Sequence, residues 1–113
     1  MEITWKEKKG SHVIRLNGRL DIIEADNFEK SVIQRLSPDN CTIVVNLSGI
    51  SYMSSSGIRA LLSIYRHCKT HYGKMALCDV SPVVQKVLDV VDLGQVFKVF
   101  PNEDQALQFI LET

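Results

Sequence analysis

Charge of one sign is missing from this sequence. Its 113 residues carry 13 Lys and Arg against 13 Asp and Glu, a formal net charge of zero. Such a balance removes the bulk attraction that draws a basic domain to nucleic acid or to an anionic membrane, so no direct nucleic-acid binding is expected. Long apolar runs are missing too. None approaches the ~20 residues of a membrane-crossing helix, so no membrane insertion is expected. The opening Met1-Glu2-Ile3-Thr4-Trp5-Lys6 has no basic segment followed by an apolar stretch. No secretory leader is therefore expected, and the cytoplasm is the anticipated compartment.

Cysteine is scarce and unpaired in pattern. Cys41, Cys68 and Cys78 form no CxxC motif. An odd count without a leader reads as reduced thiols, each packed as a small hydrophobe. The clustered Cys/His spacing of a structural zinc site is absent, and neither metal nor cofactor is expected. His67 and His71 stand at i, i+4 and offer two possible ligands from one helix face. No third ligand is spaced to join them, so they read as solvated histidines near a helix end.

What is present suits an ordinary globular chain: 45% apolar and 23% charged residues. This length is most simply one domain, residues 1–113. Residues 2–7 predict a weak strand with Ile3 and Trp5 on one face, and Lys9-Gly10-Ser11 a hairpin turn. Residues 12–20 alternate, with Ile14 and Leu16 facing inward and Arg15, Asn17 and Arg19 outward, as in a half-buried strand. Residues 24–36 change to helical spacing, with Ala25, Phe28, Val32 and Leu36 on one stripe. Ser37-Pro38-Asp39-Asn40 stops that helix. Residues 42–47 form an apolar, β-branched run that predicts a strand covered on both faces. Residues 48–53 read as a connection.

A second helix is predicted after Ser54-Ser55-Ser56-Gly57, with Ile58, Leu61, Leu62 and Tyr65 at i, i+3, i+4, i+7, ending near His71. Residues 74–78 predict a short strand. Ser81-Pro82 opens a third helix with Val84, Val87, Leu88 and Val91 on its stripe and Gly94 at its close. Residues 96–100 predict a last strand, apolar on both faces. Asn102, with Gln105 three residues on, caps a final helix whose apolar side is Ala106, Leu107, Ile110 and Leu111. Trp5 and Phe28 read as core or edge packing. The order β-β-α-β-α-β-α-β-α predicts an α/β fold. Its mostly parallel mixed sheet has four to five strands, an antiparallel N-terminal edge and about four helices.

Ser54-Ser55-Ser56-Gly57 is the sharpest local feature, lying between a buried strand and an amphipathic helix. Unpaired N–H groups and the helix dipole favour an anion at such a place. A serine there could cap the helix, hold a bound phosphate, or carry a covalent one. A hydrolase reading lacks the G-x-S-x-G elbow and a histidine placed for a triad. A phosphoaspartate receiver needs acidic residues clustered at strand ends, whereas this chain offers Asn46 and Asp21.

The stretch from Ile43-Val44-Val45-Asn46-Leu47-Ser48 through Met53-Ser54-Ser55-Ser56-Gly57-Ile58-Arg59 to Leu61-Leu62 resembles the signature of anti-sigma factor antagonists. These are members of the sulphate transporter and anti-sigma factor antagonist (STAS) domain family. Leu16-Asn17-Gly18-Arg19-Leu20-Asp21 resembles the family's second marker, Gly-x-Leu-Asp. The resemblance implies a non-enzymatic STAS-like fold that switches partners. The unphosphorylated protein would bind an anti-sigma factor serine kinase and free sigma factor. Phosphorylation of a serine at the helix start would release the kinase, and a PP2C-type phosphatase would reset the switch. By position Ser55 corresponds to the acceptor, with Ser54 and Ser56 as rivals. The implied partner-binding set is Asp21, Ser54, Ser56, Gly57, Ile58 and Arg59. The family usually has Asp where this chain has Ser54. The same resemblance admits a STAS interaction module of a transporter, lipid-handling or other signalling complex without phosphorylation. A monomer or weak dimer is compatible with the neutral charge.

Overall fold

Lys9 and Gly10 both take positive φ, 53° and 80°. A two-residue hairpin loop needs this at both positions to match the twist of its flanking strands. They join β1 (Glu2–Lys8) to β2 (Ser11–Leu20), which pair antiparallel with Lys8 opposite Ser11. The computed structural model describes residues 1–90 and 96–112. The remaining elements are α1 (Ile22–Arg35), β3 (Ile43–Met53), α2 (Ser55–Thr70), β4 (Met75–Cys78), α3 (Pro82–Val90), β5 (Lys98–Phe100) and α4 (Glu103–Leu111). The sheet runs β1-β2-β3-β4-β5, and every pair after the first is parallel. Element order and sheet type are those expected.

Alternation along the strands sorts the core into two layers. Ile14, Leu16, Ile43, Val45, Leu47 and Leu77 face α1, α2 and α3, which contribute Phe28, Val32, Leu61, Ile64, Val84 and Leu88. Val13, Val44, Ala76 and Cys78 face Ala106, Leu107 and Ile110 of α4. Three helices thus cover one face and α4 the other. The half-buried reading of β2 holds over Arg15–Arg19, where Leu16 is buried, Arg15 partly buried and Asn17 and Arg19 exposed; at the strand's start Ser11 through Ile14 are all buried, with Val13 packed in the α4 layer.

Other boundaries also differ. The first helix starts at Ile22 because Asp21 caps it, its Oδ1 accepting from Glu24 N at 2.9 Å. The segment 48–53 continues β3, pairing Gly49, Ile50, Tyr52 and Met53 with β2 across two register shifts. The last strand is shorter than expected: Val96 lies in a turn, and Phe97 is buried just before β5. Leu111 is 43% exposed and lies outside the apolar side of α4. Asn102 does cap α4, accepting from Gln105 N at 2.9 Å. Val91 and Gly94, expected on the stripe and at the close of the third helix, lie outside the described residues.

A polar clasp holds α4 against the sheet. Glu103, in its first turn, accepts two bonds from Arg15 at 2.7 and 2.8 Å and one from Asn46 Nδ2 at 2.7 Å. Hydrogen bonding from Arg15 is the main cause that lowers the Glu103 carboxyl from its ordinary range to about 2.

Candidate functional site

Leu20 and Met53 are neighbours in the β2–β3 ladder. The next residue of each strand, Asp21 and Ser54, is the N-cap of a helix. The first helical residues, Ile22 and Ser55, therefore emerge beside one another. Two helix N-termini converge, and their unpaired N–H groups and dipoles add in favouring negative charge. α2 has no acidic side chain in its first turn to satisfy that preference.

The three serines have different lives. Ser54 is committed to structure. Its Oγ donates to Leu20 O at 2.9 Å and accepts from Gly57 N at 3.3 Å. Ser56 is half-buried, and its Oγ accepts a long 3.5 Å bond from Arg59 Nη2. Ser55 is exposed, and among the described residues its hydroxyl makes no hydrogen bond. Of the three serines, Ser55 is thus the one whose oxygen is open to a partner.

Gly57 and Ile58 are buried. Of the expected partner-contact residues, these two lie in the packing of α2 against the strand ends rather than on its open surface. Gly57 is structural in a specific way. A Cβ there would lie 2.9 Å from Met53 Cγ and 3.2 Å from Leu20 Cβ. Glycine lets α2 settle onto the ends of β2 and β3. Arg59 is exposed, one turn beyond Ser55 and on the same side of α2. Asp21 is half-buried and lines a shallow groove with Ile22, Ile23, Tyr52, Ser54 and Ser55.

Ile22 and Ile23 were not singled out from the sequence, yet they are 70% and 71% exposed. They separate that groove from a second, lined partly by Asp26, Glu29, Ser56 and Arg59. Tyr52 is partly exposed beside them, with the Arg19 guanidinium 4.4 Å above its ring. An open hydroxyl, two helix ends and an apolar ridge therefore share one surface.

The STAS domain profile matches residues 2–106 of this chain. A relative described as an anti-sigma F factor antagonist, from Paenibacillus polymyxa, is 31% identical over 95% of this chain and 92% of its own. The chain belongs to the anti-sigma factor antagonist family of STAS domains. Solved STAS structures carry the same fold. An anti-sigma factor antagonist from Mycobacterium paratuberculosis superposes with a TM-score of 0.85 at 19% identity, over 96% of this chain and 92% of that one. The Bacillus cell fate determinant SpoIIAA in its phosphorylated form does so with a TM-score of 0.72 at 25% identity, over 96% and 99%.

At the far end of α2 the STAS domain holds a second cluster. His67 and His71 stack with ring centroids 4.5 Å apart. Cys41, from the connection before β3, brings its Sγ to them, so that one ligand atom from each residue lies within 4.8 Å of the others. Sequence spacing showed no third ligand because Cys41 precedes His67 by 26 residues, with the whole of β3 between them. Among the described residues, no helix is long and apolar enough to cross a membrane.

Proposed function

We propose that this chain is an anti-sigma factor antagonist regulated by phosphorylation of Ser55. Unphosphorylated, it binds an anti-sigma factor serine kinase through the ridge of Ile22 and Ile23 and the start of α2, freeing sigma factor. The kinase then transfers the γ-phosphoryl of ATP to Ser55 Oγ, and the serine proton leaves to solvent. A PP2C-type phosphatase hydrolyses the ester and restores the docking surface. The protein works in the cytoplasm as a monomer or weak dimer, with residues 1–113 acting as one STAS domain.

The observation that carries this reading is the contrast between Ser54 and Ser55. One hydroxyl is spent on capping and on Leu20 O, while its neighbour is exposed at the meeting of two helix N-termini. A phosphate there adds roughly −1.5 to −2 charges at neutral pH. In a desolvated interface with no new basic partner, such a charge loses hydration and weakens the complex. A change of ~3–4 kcal/mol lowers affinity several hundredfold, enough for partner exchange without refolding.

The role is that of a binding module and kinase substrate. His67 and His71 lie along α2 from Ser55 by 12 and 16 residues, about 18 Å or more of helix. Neither is placed to act as a base for that hydroxyl.

Titration against the cognate anti-sigma kinase tests the proposal. Ser55→Ala should bind as wild type does and accept no phosphate by intact mass. Ser55→Asp should bind far more weakly. Equal affinity of all three proteins would remove the switch.

A further inference from the structure

We propose that Cys41, His67 and His71 form a binding site for a borderline-soft divalent transition metal, Zn²⁺ foremost, at the end of α2 opposite Ser55. One thiol and two imidazoles are the donor set such ions prefer. Their ligand atoms already lie within 4.8 Å of one another. Bonds of about 2.0–2.1 Å to nitrogen and about 2.3 Å to sulfur, set in a tetrahedron, place ligand atoms about 3.3–3.6 Å apart. The observed cluster closes to that spacing with side-chain shifts on the order of 1 Å.

Two features prepare the site. Two histidines at i, i+4 on one helix face chelate a metal without backbone change, as the H-E-x-x-H helix does. His71 Nδ1 lies 2.9 Å from His67 O. A carbonyl only accepts, so Nδ1 carries the proton and the lone pair is on Nε2. A ring N–H held by a backbone carbonyl is the usual support of a metal-bound histidine.

The backbone is fixed on both sides. A Cβ at Gly73 would come within 2.0 Å of Cys41 O, so the turn after α2 is pressed directly onto Cys41. Gly73 N also bonds to Cys68 O at 2.7 Å. Cys41 is buried while both histidines are half-buried, so a metal enters from the imidazole side. The Cys41 thiol donates to Ser37 O at 3.1 Å, and burial raises its pKa. A bound dication reverses that preference. The S–H bond breaks, the sulfur keeps the electron pair as a zinc-bound thiolate, and one proton passes to solvent. Three protein ligands leave the fourth tetrahedral position to water. The bound ion would tie the α1–β3 connection to the end of α2.

The test uses the untagged, reduced, metal-stripped chain. Titration with Co²⁺ should give one equivalent per chain and a thiolate-to-cobalt charge-transfer band, and Zn²⁺ should displace it. His71→Gln should lower affinity at least about tenfold with the far-UV circular dichroism unchanged. Cys41→Ser should abolish the charge-transfer band. Failure to take up metal stoichiometrically, or uptake that His71→Gln leaves unaltered, overturns the proposal.

Discussion

The hydroxyl of Ser54 donates to the carbonyl of Leu20 across 2.9 Å. That carbonyl also accepts from Ser54 N at 3.0 Å. Leu20 ends β2, so the pair of bonds fastens the start of α2 to the strand that leads into α1. An aspartate could replace Ser54 in accepting from Gly57 N, but an ionised carboxylate has no proton for Leu20 O. Ser54→Ala should therefore cost about 1–2 kcal/mol in urea unfolding, from the lost cap and the lost bond. Ser54→Asp should cost less, because it keeps the cap. Kinase treatment of Ser54→Ala should still place one phosphate on the chain. A failure to do so, in a folded variant, would move the acceptor from Ser55 to Ser54.

Ile22 and Ile23 separate docking from stability. Both are about 70% exposed, so folding gains little from them. Ile22→Ser and Ile23→Ser should each shift unfolding by no more than about 0.5 kcal/mol. If this ridge is the kinase contact, the same changes should weaken kinase binding by about tenfold or more. Unchanged affinity in the double variant would place the interface elsewhere.

Arg59 stands one helical turn beyond Ser55. A phosphate on Ser55 meets both the dipole of α2 and an i, i+4 guanidinium. Phosphorylation should therefore raise the stability of the isolated protein by about 0.3–1 kcal/mol. Arg59→Ala should shrink that gain and leave the unphosphorylated form nearly unaffected. A thermal melt of the four species decides it, and equal gains with and without Arg59 would exclude the pairing.

The Glu103 clasp predicts an acid limb. Its carboxyl titrates at about 2 in the folded chain against an ordinary 4.5. The folded state therefore binds fewer protons than the unfolded one between those values. Stability from this group is complete above pH ~4.5 and is lost as pH falls toward ~2. Glu103→Gln should lower neutral-pH stability by about 1–3 kcal/mol and flatten the fall below pH ~4.5. Parallel pH profiles for variant and wild type would show that the clasp adds nothing.

Local patterns in the sequence were enough to find the elements and their order. Phe28 and Val32, or Leu61 and Tyr65, declare a helix by spacing alone, and the run from Ile43 to Leu47 declares a covered strand. The second half of β3 was not legible. Ser48, Gly49 and Ser51 look like a connection, and only pairing with β2 across its bulges makes them strand. Arg15, Asn46 and Glu103 lie in three elements far apart in the chain, so no local pattern announces their clasp. The same is true of Cys41 beside His67 and His71. At the candidate switch, residue type pointed to the serines, but their division of labour depends on Leu20 O, which composition does not reveal. The exposure of Ile22 follows from the helix starting at residue 22, set by the Asp21 cap.

The bare isoleucine ridge leaves a thermodynamic signature for any partner that covers it. Water released from Ile22 and Ile23 on docking would give the association a negative heat-capacity change. Complex formation would then become more exothermic as temperature rises, and trimming the ridge to serine would flatten that slope in calorimetry.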